Sequence, residues 1–121
     1  MLALCVWREA RGESAEGKAL VAQVIINRCN DPAKRWPRTI QGVVCQPLQF
    51  SSFNKNDPNV NFYPKESDAS WVESVEAAAK ALAANPPMTL ANHYHTLAIN
   101  PKWADPTKVT EIVGAHKFYL L

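Results

Sequence analysis

The spacing of the apolar residues changes along the chain, and this change restricts the folds that are possible. Before about residue 85, and outside the irregular stretch 47–64, apolar residues recur at three- and four-residue intervals, as they do between Leu20 and Ile25, which indicates helices. From residue 88 onward, β-branched and aromatic residues instead lie in two short segments, 88–96 and 109–121. Helices followed by a small antiparallel sheet predict an α+β fold.

The size and charge of the chain limit the classes of protein to which it can belong. Its 121 residues suffice for one domain, 1–121, and its 47% hydrophobic and 20% charged fractions are those of an ordinary globular protein. The formal net charge of +2 is too small for a nucleic-acid-binding surface. No segment is long and apolar enough to cross a bilayer. We expect a monomer that binds no nucleic acid and does not insert into membranes.

Capping residues and helix breakers predict the positions of the first three helices. The first is expected over 1–11 and is ended by Gly12 in the left-handed conformation. Ser14 is expected to cap the second helix, which ends near residues 30–32. Thr39 is expected to cap a short third helix that ends at residue 45.

A fourth helix and a hairpin are predicted in the second half of the chain. The helix starts at Ser67 or Asp68 and stops before the prolines at 86 and 87. Its predicted buried stripe consists of Trp71, Val75, Ala78 or Ala79, and Leu82. Gly114 is expected at a turn or a bulge between strands.

The cysteines indicate the redox environment. Cys5, Cys29 and Cys45 are an odd number without a C-x-x-C pair, so we expect free, mostly buried thiols and synthesis in a reducing compartment. The apolar stretch 1–7 lacks a basic region before it. It is therefore predicted to be neither a signal peptide nor a membrane span.

Glu9 is the first candidate for a catalytic group. It follows Val6 and Trp7 at the end of an apolar helix, where poor solvation raises the pKa of a carboxyl group. A raised pKa suits a general acid that protonates a glycosidic oxygen near neutral pH. The alternative is a surface ion pair of Glu9 with Arg8 or Arg11.

Glu13 and the histidines are the other titratable candidates. Glu13 stands beside the predicted start of the second helix, where an acidic residue ordinarily compensates the helix dipole. His93 and His95 are predicted to share one face of a strand, with Tyr94 on the other face. Together with His116 they could form a zinc site, although no H-E-x-x-H helix accompanies them. Hydrogen bonding to substrate hydroxyls or to the backbone is the alternative role.

A long irregular segment, 47–64, mixes amides, hydroxyls and aromatic rings. This mixture suits a sugar, which presents an apolar face and a fringe of hydroxyls, and long loops are often functional. Within this segment, Asp57 and Pro58 fit a turn. The predicted substrate-binding residues are Gln49, Phe50, Ser51, Ser52, His93, Tyr94, His95 and Trp103.

Seven short sequence segments, taken together and in their order along the chain, are more specific than any one of them. They are WREARGESAEG at 7–17, VAQVIINR at 21–28, TIQGVV at 39–44, QPLQFS at 46–51, HYHT at 93–96, PKWA at 101–104 and GAHKFY at 114–119. Together they resemble the SleB/CwlJ-type cell-wall hydrolases over nearly the whole chain. The most specific element is the E-A-R-G-E core at 9–13. Many members of that family have glycine where this chain has Arg8.

This resemblance implies a lysozyme-like fold and cleavage of the MurNAc–GlcNAc β-1,4 bond of peptidoglycan, as in spore germination enzymes or bacteriophage endolysins. Glu9 is then the general acid. The expected mechanism is that of a lytic transglycosylase, which needs one carboxylate and no metal or other cofactor. The alternatives are a hydrolytic muramidase that uses Glu9 and Glu13, a zinc-dependent amidase or peptidase that uses His93, His95 and His116, and a non-catalytic glycan-binding module.

The expected partner is therefore the glycan strand of peptidoglycan, and the expected site of action is the bacterial cell wall. Because the stretch at 1–7 lacks the features of a signal peptide, we expect synthesis in the cytoplasm. Access to the wall would then depend on cell lysis, a holin or a segment outside this chain.

Overall fold

Helices occupy the first two thirds of the chain and strands occupy the last third. In the computed structural model, which describes residues 1–46, 50, 53, 57, 58 and 61–121, this order confirms the α+β prediction. The helices are α1 (Leu2–Ala10), α2 (Ala15–Cys29), α3 (Ile40–Val44) and α4 (Ala69–Ala83), and the strands are β1 (His93–Thr96), β2 (Val109–Val113) and β3 (His116–Tyr119).

The predicted caps of α2 and α3 are confirmed. The side-chain oxygen of Ser14 accepts a hydrogen bond from the Gly17 N–H at 3.2 Å, and that of Thr39 accepts one from the Gly42 N–H at 3.0 Å. The predicted left-handed Gly12 is wrong, because Gly12 has no positive φ. The chain leaves α1 through a right-handed Arg11, with φ −59° and ψ −24°.

Helix α2 is the centre of the helical layer. It contacts α1, α3 and α4, and its side chains from Ala19 to Ile25 are almost completely buried. A helix that is enclosed on several sides needs apolar residues around most of its circumference. The other three helices therefore pack around α2. Glu9 lies near the C-terminal end of α1, which packs on α2.

The buried face of α4 differs from the predicted stripe. Val75 is 43% exposed and Leu82 is 59% exposed, so both predictions are wrong, whereas Ala78 is buried as expected. The face that packs on α1 and α2 also contains Ser74 and Ala81. Small side chains let the helix axes approach closely, which favours this face over the one with the larger residues.

The three strands form one antiparallel sheet in the order β1-β3-β2. Gly114 has φ +58° and forms the turn between β2 and β3, as predicted, while the irregularity in the β2–β3 register lies between Val109 and Glu111. The predicted strand segment 88–96 is shorter in the structure, where only β1 is paired. Direct pairing of Tyr94 with Phe118 fixes which face of β1 points to the helices.

The cysteine prediction is confirmed for the thiols and corrected for one position. All three cysteines are free, and Cys5 and Cys29 are buried, but Cys45 is exposed. It lies just after the last residue of the short helix α3, where the chain turns at the surface. Among the described helices, none combines the length and the apolarity that a membrane span requires.

Candidate active site

A cavity of about 230 Å³ lies between the helical layer and the sheet, and Glu9 lines it. Arg28 of α2, Tyr94 of β1, Phe50 and Trp103 contribute to the same walls. These residues come from distant parts of the chain, and folding places an acid, a cation, a phenol and flat apolar surfaces around one space. Such a combination of apolar walls and a few polar groups is typical of a ligand site.

Burial is the main reason why Glu9 differs from an ordinary surface acid. Loss of solvation raises the pKa of its carboxyl group, and the nearby negative charge of Asp57 raises it further. A hydrogen bond from the Tyr94 hydroxyl, 3.3 Å from Glu9 Oε1, opposes this rise because it stabilises the carboxylate. The raised pKa agrees with the protonation state that a general acid needs.

The two arginines beside Glu9 make other contacts. The Nε and Nη2 atoms of Arg8 donate to the Phe62 carbonyl at 3.2 and 2.9 Å, and its guanidinium lies 4.5 Å from the centre of the Phe53 ring. The guanidinium of Arg11 lies 4.3 Å from the centre of the Trp7 ring system. These cation–π contacts order the outer surface of α1 beside the acid.

A larger cavity of about 300 Å³ lies at the C-terminal end of α2, but its acid is unsuited to proton donation. Hydrogen bonds from Arg35 lower the pKa of Asp31 to about 2. A carboxyl group with so low a pKa is ionised near neutral pH and has no proton to give. The chemistry therefore favours the smaller cavity, where the pKa of Glu9 is raised.

Tyr94 is held with its hydroxyl directed at Glu9. Its ring lies edge-on to His116, with ring centres 5.2 Å apart, and 5.9 Å from the ring centre of Phe118. Desolvation and the nearby Glu9 raise the pKa of Tyr94 well above its usual value. The phenol therefore keeps its proton near neutral pH and acts as a hydrogen-bond donor.

Arg28 lines the cavity, although the sequence alone assigns it no role. Only 6% of it is exposed, and its Nε donates to the Asn92 carbonyl at 2.7 Å. Its guanidinium lies 5.1 Å from the Trp36 ring centre and 5.6 Å from that of Phe50. A positively charged side chain near the C-terminal end of α2 thus lines the cavity.

The predicted shared face of His93 and His95 is confirmed by the contact of both rings with Trp103, at 5.0 and 5.7 Å between ring centres. His95 Nδ1 lies 2.7 Å from the Thr96 carbonyl, so it donates, and His95 Nε2 lies 2.7 Å from the Tyr119 hydroxyl. Burial, with the charges of Arg28 and Arg35, lowers the pKa of His93 to about 4. His93 is therefore neutral near pH 7.

The three histidines do not converge on one point. His116 lies with Tyr94 on the opposite sheet face from His93 and His95. Within the described part of the chain, no three histidine, cysteine or acidic side chains form a group that could hold a metal ion. This arrangement does not support the zinc-dependent alternative.

Glu13 is not among the residues that line the cavity with Glu9. Its Oε1 accepts a hydrogen bond from the Ala115 N–H at 3.0 Å and lies 2.7 Å from His116 Nδ1. The latter contact has the distance of an ion pair but not the alignment of a good hydrogen bond. The carboxyl group of Glu13 thus faces the β2–β3 turn.

The remaining predicted residues lie on the 47–64 segment. Gln49, Ser51 and Ser52 are outside the described residues, and Phe50 is a buried wall of the cavity. Asp57, interpreted from the sequence as a turn residue, is close enough for its charge to raise the pKa of Glu9. No sequence signal distinguishes it from an ordinary turn aspartate, because its distance from Glu9 depends on the folding of the loop.

Comparison with known proteins gives the same family from sequence and from structure. A family model described as cell wall hydrolase matches residues 12–119. The spore cortex-lytic enzyme of Bacillus subtilis is 39% identical over 67 residues, which are 55% of this chain and 21% of that enzyme. The enzyme of the same name from Halalkalibacterium halodurans is 42% identical over 52 residues, 43% of this chain and 15% of that enzyme. The matched part is thus well under half of these relatives' length.

Two solved structures are similar over 98% of this chain. The catalytic domain of the germination-specific lytic transglycosylase SleB from Bacillus anthracis has a TM-score of 0.77 at 27% identity, with 90% of that domain covered. The catalytic domain of the Bacillus cereus SleB protein has a TM-score of 0.72 at 26% identity, with 86% covered. The expected lysozyme-like α+β class is confirmed. The chain belongs to the cell wall hydrolase family, of the SleB/CwlJ type.

Proposed function

We propose that this chain cleaves the β-1,4 bond between MurNAc and GlcNAc in peptidoglycan as a lytic transglycosylase, with Glu9 as the acid and base. The observation that carries the proposal is a partly buried carboxyl group with a raised pKa in a cavity with aromatic walls. The similarity to SleB catalytic domains supports the same reaction class.

The proposed reaction uses the carboxyl group of Glu9 twice, first as an acid and then as a base. The protonated carboxyl group gives its proton to the glycosidic oxygen, and the bond from that oxygen to the anomeric carbon of MurNAc breaks through an oxocarbenium-like state. The Glu9 carboxylate then takes the proton of the MurNAc 6-hydroxyl. The 6-oxygen forms a bond to the anomeric carbon, which closes a 1,6-anhydro ring and regenerates the acid.

Other residues of the cavity have roles in this proposal. The Tyr94 hydroxyl donates to Glu9 and stabilises the carboxylate that forms after proton transfer. Trp103, which is 39% exposed, supplies an apolar surface for a sugar ring. Arg28 supplies a positive charge in the wall of the same cavity. The proposed partner is therefore a glycan strand of the cell wall.

Mass spectrometry of the products tests the mechanism. Purified sacculi are digested in heavy-oxygen water, and the released muropeptides are analysed before and after borohydride reduction. We expect 1,6-anhydro ends that resist reduction and contain no heavy oxygen. Reducing ends labelled with heavy oxygen would instead indicate a hydrolytic muramidase, and would contradict the transglycosylase proposal.

A further inference from the structure

The two glutamates of the E-A-R-G-E core are connected through the sheet. Glu13 Oε1 lies 2.7 Å from His116 Nδ1, and the His116 ring stands at 87° to the Tyr94 ring, with 5.2 Å between centres. The Tyr94 hydroxyl then donates to Glu9 Oε1 at 3.3 Å. A continuous series of contacts thus runs from Glu13 through two side chains to Glu9.

Glu13, at the start of this series, connects the β2–β3 turn to the segment between α1 and α2. Glu13 Oε1 accepts from the Ala115 N–H at 3.0 Å. A Cβ atom at Gly114 would stand 2.7 Å from Glu13 Oε2, so the turn backbone approaches the carboxylate as closely as a glycine permits. Because Ala115 immediately precedes β3, this contact also places His116 at the start of that strand.

We propose that Glu13 and His116 are positioning residues, which hold Tyr94 and through it orient the carboxyl group of Glu9. This inference rests on the proposed function of Glu9. It assigns Glu13 no direct contact with substrate. The His116 ring contacts the Tyr94 ring edge-on. Phe118, the residue of β3 that pairs directly with Tyr94, supports the same ring. Loss of either support lets the hydroxyl leave Glu9.

Replacement of Glu13 separates positioning from catalysis. Glutamine retains an oxygen that accepts from the Ala115 N–H and faces His116, whereas alanine retains none, and neither side chain can take up a proton as a base. We expect Glu13→Gln to keep kcat on soluble glycan strands within about threefold of the wild type. We expect Glu13→Ala to lower kcat by about 10- to 100-fold, with KM little changed.

A second variant tests the His116 step without removing the contact to the turn. The amide N–H of asparagine takes the place of the ring Nδ1, but asparagine has no ring against Tyr94. We expect His116→Asn to lower kcat by about tenfold. In combination with Tyr94→Phe, neither Glu13→Ala nor His116→Asn should lower kcat much further, because all three changes act on the same hydroxyl.

The pH profile gives a readout that a merely structural role would not change. The Tyr94 hydrogen bond lowers the pKa of Glu9, so its loss in Glu13→Ala should move the alkaline limb of the activity profile to higher pH. Among the described residues, the other charged or titratable groups around Glu9 are Asp57, Arg28, His95 and Cys5, and all remain in the variant. Around His116 they are Glu13, His95 and Tyr94.

Each outcome decides for or against the proposal. Equal loss of activity in Glu13→Gln and Glu13→Ala would identify Glu13 as a catalytic carboxylate and overturn the proposal. Full activity of Glu13→Ala or of His116→Asn would also overturn the proposal. If Glu13→Ala does not fold, the other two variants decide. An active Glu13→Gln together with an impaired His116→Asn supports the proposal, whereas an inactive Glu13→Gln together with a fully active His116→Asn overturns it. An active Glu9→Gln would instead reject the proposed function itself.

Discussion

Replacement of Glu9 by glutamine is expected to abolish cleavage of purified sacculi while the fold remains intact. Glutamine preserves the shape of the side chain but cannot donate or accept the transferred proton. General acid–base catalysis contributes about 10²–10⁴-fold, and Glu9 serves in both steps, so we expect a loss at or above the upper end of this range. The measurement is the release of soluble muropeptides by equal amounts of the two folded proteins.

The same variant is expected to be more stable than the wild type near neutral pH. The folded state raises the pKa of Glu9 by burying it, so folding is opposed once the carboxyl group ionises. The stability of the wild type therefore falls as the pH rises from the unfolded pKa through the raised folded pKa. Removal of this cost should stabilise Glu9→Gln by about 0.5–2 kcal/mol, and the gain should disappear in acid.

A matched control is Glu76→Gln on the exposed surface of α4. It removes one carboxyl group without altering the cavity, and we expect wild-type cleavage and little change in stability. Retention of cleavage by Glu9→Gln, or an equal loss in Glu76→Gln, would contradict the assignment of the acid.

The second large effect is expected at Arg28, on stability. Methionine fills much of the same volume but leaves the buried Asn92 carbonyl without its charged donor and removes the contacts with the Trp36 and Phe50 rings. A hydrogen bond to a charged group contributes about 1.5–3 kcal/mol and a cation–π contact about 0.5–2 kcal/mol. We expect Arg28→Met to lower the free energy of unfolding by about 2–4 kcal/mol.

Urea unfolding of Arg28→Met beside Arg38→Met measures this effect. Arg38 is exposed, so its replacement should change the free energy of unfolding by no more than about 0.5 kcal/mol. Similar midpoints for both variants would mean that Arg28 does not hold β1 and the cavity wall in place.

Local sequence signals were sufficient for the features that depend on neighbouring residues. The caps at Ser14 and Thr39 and the turn at Gly114 each depend on the backbone within a few positions, and the structure contains all three. The poor solvation of Glu9 was predictable for the same reason, since Val6 and Trp7 lie within the same helix.

Features that depend on distant partners were not predictable. The Tyr94 donor is 85 positions from Glu9, and only the β1–β3 register and the packing of α1 bring them together. The face of α4 was predicted wrongly because apolar residues occur around the helix, and the close approach of α2 selects the small ones, such as Ala81. The effect of Asp57 on Glu9 likewise depends on the path of a loop.

The central claim is that the carboxyl group of Glu9 holds its proton at a pH where an ordinary glutamate has lost it. An NMR titration of the Glu9 carboxyl carbon, assigned by the loss of its signal in Glu9→Gln, measures this directly. We expect a midpoint clearly above the ordinary value of about 4.3, because burial and the charge of Asp57 outweigh the Tyr94 hydrogen bond. A midpoint at or below that ordinary value would contradict the account.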